Sequence, residues 1–172
     1  MPFRRSMGSP TDAPGPFRLL FVCTGNTCRS PMAEVIAKRR IAELGWTHVD
    51  VTSAGVGAFD GSPASGGALR TAASRGLDLE DHTSTMLTRQ LADDADLILT
   101  MTASHLLRVM ELGAGDRAAM LTAFADGGES DLAAAGVPDP IGGPDEEYAE
   151  TFDSLDDLIA RVLSRLEPVV AP

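Results

Sequence analysis

Residues 17–34 read FRLLFVCTGNTCRSPMAE, and their division decides the fold. Phe17–Val22 is a nearly continuous apolar run, the pattern of a strand buried on both faces in a parallel sheet. The run stops at Cys23. From about Pro31, Ala33, Ile36, Ala37, Ile41 and Leu44 recur at helical spacing until Gly45. Ser30 reads as the N-cap and Pro31 as the first helical residue. A buried strand, a short polar loop and a helix therefore follow one another within eighteen residues.

The same alternation continues. His48–Ala54 predicts a second strand, Ala64–Arg75 a helix closed by Gly76, and Leu87–Ala95 a short helix. Asp96–Met101 predicts a buried strand, Ser104–Leu112 a helix and Ala119–Phe124 a fourth strand. Residues 127–143 are rich in Gly, Pro and Asp and read as a loop. In the last segment, Tyr148, Phe152, Leu155, Leu158, Ile159, Val162, Leu163 and Leu166 form one stripe. The expected fold is α/β: a small, doubly wound, four-stranded parallel sheet flanked by helices, in a single domain. Such sheets bind ligands at the carboxyl ends of their strands, where residues 23–30 sit.

Composition narrows the classes of function. The chain has 172 residues, enough for one core. Its formal net charge of -11 argues against a nucleic-acid partner, which needs a basic face. No apolar run approaches the length of a membrane span. Residues 1–16, MPFRRSMGSPTDAPGP, have no apolar stretch after their arginines, so no secretory signal is expected. They read as a flexible extension ahead of a folded domain over residues 17–172, with the cytoplasm as the expected compartment. Acidic residues concentrate late: residues 126–172 hold twelve Asp/Glu against two Lys/Arg. That segment reads as a solvated helix face. Two cysteines, Cys23 and Cys28, cannot supply a four-thiolate zinc site.

The loop suits anion chemistry. Gly25 accepts unusual dihedrals and Asn26 tolerates the left-handed region, so the backbone N–H groups of Thr24, Gly25, Asn26, Thr27 and Cys28 can line a concave nest. The positive end of the helix dipole lies behind it. Arg29 adds a planar fork matched to two phosphate oxygens. A thiol at position 23 meets the dipole, the amides and Arg29, all of which favour its ionised form. A thiolate at the floor of a phosphate cradle is placed for in-line attack on phosphorus.

CTGNTCRSPMAE, residues 23–34, closely resembles the phosphate-binding loop of the low-molecular-weight protein tyrosine phosphatases, Cys-x5-Arg-Ser. A second motif, VPDPIGG at residues 137–143, resembles the family's general-acid loop. The resemblance spans about residues 17–166. It implies that Cys23 is the nucleophile, Arg29 binds phosphoryl oxygens, Asp139 is the general acid and Ser30 bonds the thiolate. His82 resembles a histidine that supports the loop, and Ser53-Ala54-Gly55 a strand end that braces it through Asn26. His48 and His105 carry no partner signal and read as structural. Asp126, Asp131 and Asp145 are further carboxylates within reach along the chain.

Thr27 bears on the substrate. Tyrosine-specific members carry an aliphatic residue there, whereas CTGNTCRS looks like the bacterial protein-arginine phosphatases. A hydroxyl in the pocket wall suits a polar guanidinium, and a methyl-rich wall suits a phenyl ring. Gly142-Gly143, Tyr148 and Thr151 also resemble the arginine branch; Ile141, where that branch often has an aromatic, departs from it. Tyrosine phosphatase is the alternative reading. Arsenate reductase would need cysteines after Cys28, and none follow; a silent phosphate-binding module would not need Cys23, Arg29 and Asp139 together. The resemblance implies a phosphorylated protein as partner and an opposing protein arginine kinase, with no cofactor and no metal. Cys28 reads either as a small packing residue or as a redox cap that traps oxidised Cys23 as a disulfide.

Overall fold

The computed structural model describes residues 15–128 and 132–170. Four parallel strands, β1 (Phe17–Cys23), β2 (Val49–Gly55), β3 (Leu97–Thr100) and β4 (Ala118–Met120), lie in the order β2-β1-β3-β4. Helices α1 (Arg29–Glu43), α2 (Gly66–Ser74), α3 (Arg89–Asp94), α4 (Ala103–Glu111), α5 (Leu121–Ala125) and α6 (Asp145–Val170) complete the chain, with a 3-10 turn over Gly115–Arg117. The doubly wound α/β expectation holds. The strand order reverses between β1 and β3, which places the end of β1 at the switch point.

The period of two along β1 explains its apolar run. Leu19, Phe21 and Cys23 face one layer, with Met32, Ile36 and Ile41 of α1 and Phe152, Leu155, Ile159 and Val162 of α6. Leu20 and Val22 face the other, with Ala92 of α3, Ile98 of β3 and Val109 of α4. Each large apolar side chain fully buried in this way contributes about 1.5–3 kcal/mol. The strand that carries Cys23 is thus anchored from both sides.

Two expectations need correction. Residues 119–124 do not form one strand. Pairing ends at Thr100↔Met120, and Leu121–Ala125 turns into α5. Leu121, Phe124 and Ala125 then fall on one helical face and are buried, an outcome that an Ala-containing LTAFA run permits once its strand partner has ended. Nor is Ser30 an N-cap. Helix α1 begins at Arg29, after Cys28, and has no side-chain cap. Its first backbone ring closes from Met32 N–H to the Cys28 carbonyl, 3.2 Å. Pro31 still lies in the first turn, where a missing N–H costs no helical bond. Of the expected extension, residues 1–14 lie outside the described residues, as does Asp131. Among the described residues no helix is long and apolar enough to cross a membrane.

Candidate active site

The loop over residues 23–29 is held by its carbonyls. Cys23 O accepts from Val56 N–H (3.0 Å), Thr24 O from Gly57 N–H (2.9 Å) and Thr27 O from Ser65 N–H (2.8 Å). His82 Nε2 donates to Asn26 O, 2.7 Å. In a trans peptide the N–H points opposite to the C=O. The amides of Thr24, Gly25, Thr27 and Cys28 therefore turn to the inner side of the loop, the arrangement of an anion nest. Asn26, at φ 55°, is the one non-glycine residue with positive φ among the described residues. That left-handed residue curls the loop. Gly55 lets the loop lie close to β2: a Cβ there would stand 2.4 Å from Thr24 O and 2.8 Å from Asn26 N.

The Asn26 side chain organises the bonds under the loop. Its Oδ1 accepts from Thr85 N–H (2.8 Å), which fixes the amide. Its Nδ2 then donates to Ser30 Oγ (2.8 Å) and to Ser53 Oγ (2.9 Å). Ser53 passes its own proton to Glu34 Oε1, 2.9 Å. Ser30 Oγ, which accepts from Asn26, lies 2.8 Å from Cys23 Sγ, within reach to donate its proton to a thiolate. A thiolate at position 23 can only accept, so in that form the bond runs from Ser30 to sulfur. The structure thus brings Ser30 to Cys23, and His82 and Ser53 to Asn26. Cys23, Cys28, Asn26, Arg29 and Ser30 are all buried.

Arg29 reaches across to the second motif. Its Nη1 donates to Val137 O (3.0 Å) and its Nη2 to Thr24 Oγ1 (3.4 Å), and Nη2 lies 3.5 Å from Asp139 Oδ2. The other carboxylate oxygen of Asp139 accepts from Ile141 N–H, 3.1 Å. The side chain of Asp139 is 40% exposed, so it meets solvent on one side and the arginine on the other. The alternative carboxylates are placed elsewhere: Asp126 pairs with Arg161, and Asp145 with Arg70 at 2.9 Å.

Two more residues enter the site: His105, which read as structural along the chain, and Tyr148, whose partners only the structure gives. His105, 2% exposed, puts Nε2 2.8 Å from Thr24 Oγ1 and Nδ1 3.1 Å from Thr102 Oγ1. Burial first and the Arg29 charge second push its pKa down to about 4, against a smaller upward pull from Asp139. The imidazole is neutral at pH 7. The available signal was its place: three residues into the helix after a buried strand, at the same sheet end as Cys23. Tyr148 is the other. Its ring lies over Gly67, where a Cβ would come within 2.3 Å. Its hydroxyl accepts from Ser65 Oγ (3.2 Å), which itself accepts the Cys28 thiol (3.1 Å), and Tyr148 OH to Cys28 Sγ, 3.4 Å, closes the ring. Burial and the Cys28 bond push the phenol above its ordinary value.

The family model described as low molecular weight phosphotyrosine protein phosphatase matches residues 18–170. The chain belongs to this family. Among the phosphatases it resembles is the protein-arginine-phosphatase of Geobacillus stearothermophilus, 38% identical over 154 residues, covering 88% of this chain and 97% of the relative. The low molecular weight protein-tyrosine-phosphatase Wzb of Escherichia coli K12 is 35% identical, covering 80% and 87%. The solved structure of a cysteine-to-serine mutant of the YwlE arginine phosphatase, with a phosphorylated active-site serine, superposes with a TM-score of 0.80 at 33% identity, covering 89% of this chain and 97% of that one. In this structure Arg29 joins the loop after β1 to the Asp-Pro motif.

Proposed function

We propose that the protein is a cysteine-dependent protein phosphatase that hydrolyses phosphoarginine. One observation carries the chemistry: Cys23 Sγ lies 2.8 Å from Ser30 Oγ at the foot of the loop. Arg29, 3.5 Å from the Asp139 carboxylate, lies between the nucleophile loop and the acid. In the reaction, the loop amides and Arg29 bind the phosphoryl oxygens and Cys23 attacks phosphorus as thiolate. The S–P bond forms as the P–N bond breaks, and Asp139 gives its proton to the departing guanidine nitrogen. Water then attacks the cysteinyl-phosphate, Asp139 takes its proton, and orthophosphate leaves as Cys23 is restored. Gly25, Thr24, Asn26, Thr27 and Cys28 contribute the cradle, Ser30 the donor to sulfur.

Phosphoarginine is favoured over phosphotyrosine by Thr27, half-buried in the loop with Oγ1 3.8 Å from Cys28 Sγ, and by the arginine-phosphatase names of the two relatives from Geobacillus stearothermophilus and Bacillus subtilis. Phosphotyrosine is the second reading, supported by the likeness to Wzb. The partners in this scheme are phosphorylated proteins and an opposing protein arginine kinase, in the cytoplasm. The deciding assay compares phosphoarginine and phosphotyrosine peptides with the wild type, Thr27→Ile and Cys23→Ser. Cys23→Ser should lose turnover on both, and Thr27→Ile should move the preference toward phosphotyrosine. An unmoved preference would refute the role of Thr27.

Cys28 serves in this scheme as a redox cap. Peroxide oxidises Cys23 to the sulfenic acid; the Cys28 thiol attacks that sulfur, forms the disulfide and releases water. The protein as described holds both thiols free. Thiol reductant should restore peroxide-treated wild type but not Cys28→Ala, and equal recovery would remove the cap.

A further inference from the structure

His105 is buried at the site and the reaction above gives it no part. Its two nitrogens have distinct partners, Thr102 Oγ1 at Nδ1 and Thr24 Oγ1 at Nε2. Arg29 carries donors alone, so toward Nη2 the Thr24 oxygen is an acceptor. The Thr24 proton is then free for His105. With the imidazole proton on Nδ1, donated to Thr102, Nε2 accepts from Thr24; the Thr102 hydroxyl lies 2.9 Å from Ser104 Oγ. A protonated imidazole would have no lone pair for Thr24 and would set a second cation facing Arg29.

We propose that His105 is a positioning residue of the phosphatase: by taking the Thr24 hydroxyl proton at Nε2 it aims the Thr24 oxygen at Arg29, and so holds the guanidinium between Thr24, Val137 O and the Asp139 carboxylate. The inference rests on the reading of Arg29 as the phosphoryl-binding group. The chain His105–Thr24–Arg29–Asp139 couples α4 to both catalytic loops. Thr24 is exposed and Arg29 buried, so the imidazole is the fixed anchor of the outer side of the loop.

The test measures the affinity for inorganic phosphate, together with kcat and KM on a phosphoarginine peptide, in the full chain. His105→Leu and Thr24→Val should each weaken phosphate binding by roughly three- to tenfold, the scale of one hydrogen bond. The double variant should lose no more than the worse single, because both break one chain. His105→Gln, whose amide oxygen reaches the Nε2 position, should recover most of the loss; Thr24→Val covers the case in which His105→Leu does not fold. Additive losses, an unchanged phosphate affinity in Thr24→Val, or a Gln variant as weak as Leu would overturn the proposal. Arg29→Ala separates the two readings. If it abolishes phosphate binding while the Thr24 variant does nothing, the positioning role alone falls. If it binds phosphate normally, the Arg29 reading falls and takes the positioning role with it.

Discussion

Ser30 Oγ stands 2.8 Å from Cys23 Sγ and 2.8 Å from Asn26 Nδ2, so a single hydroxyl accepts from the amide and is placed to donate to a thiolate. The direction of the amide's donation is set from another segment: Thr85 N–H pins the Asn26 oxygen and leaves only its N–H groups for the serines. The helix N-terminus goes without a side-chain cap as a result, a cost of about 1 kcal/mol.

Removing the donor should therefore slow chemistry more than binding. A hydrogen bond to a charged group is worth about 1.5–3 kcal/mol, so Ser30→Ala should lower kcat by roughly ten- to a hundredfold with little change in KM. Alkylation of Cys23 by iodoacetamide at neutral pH should slow in parallel. An Ala variant alkylated as fast as the wild type would show that the hydroxyl does not act on the sulfur.

Asp139→Asn keeps a side-chain oxygen for Ile141 N–H but cannot give up a proton. General-acid catalysis contributes typically 10²–10⁴-fold, so kcat should drop by a factor in that range. Orthophosphate affinity should hold or rise, because the carboxylate 3.5 Å from Arg29 competes with the anion for the guanidinium. A kcat within a few-fold of wild type would shift the acid's role away from Asp139.

Gly55→Ala tests the close approach of loop and strand. With a Cβ 2.4 Å from Thr24 O, the backbone of the loop must move, and overpacking of this kind costs about 1–3 kcal/mol. The variant should melt lower and lose at least tenfold in kcat/KM, since the nest amides move with Thr24. Full activity at a lowered Tm would mean that the loop tolerates displacement.

His105 makes stability depend on pH. Its pKa falls from 6.5 to about 4 on folding, so between those values the unfolded state binds the proton and the native state does not. Stability is complete above pH 6.5, declines as the pH falls toward 4 and loses no more below it. The full loss from this group is about 3 kcal/mol. Urea midpoints at pH 7 and pH 4.5 should therefore fall further in the wild type than in His105→Gln, with carboxylates contributing alike to both. Parallel slopes in the two proteins would contradict a buried, neutral imidazole.

Some of this was legible along the chain. Continuous apolar runs located β1 and β3, and the period-3.6 pattern α1 and α6, to within a few residues, because a strand buried on both faces and a helix buried on one leave different apolar spacings. Cys23 and Arg29 were legible because strand, loop and helix are contiguous, so local geometry alone brings a thiol to a helix N-terminus. The end of β4 was not legible. Whether AAMLTAFA continues as a strand depends on where β3 stops offering partners, and that is a property of another segment. Ser30 read as a cap because Ser before Pro is the usual local solution.

What the linear order of residues determined by itself was the fold class and the phosphate loop: both rest on interactions between residues close in sequence, where periodicity and dihedral preference suffice. Only the tertiary structure decided what Ser30, Thr24 and Tyr148 do. Their partners lie at Asn26 and Cys23, at His105, and at Cys28 and Ser65, across 4 to 120 residues of chain. A hydroxyl has one proton and two lone pairs and takes whichever buried partner the packing presents. Burial forbids leaving that proton unpaired, so the direction of each bond, and with it the donor to the sulfur, is fixed by the whole network and by no single segment.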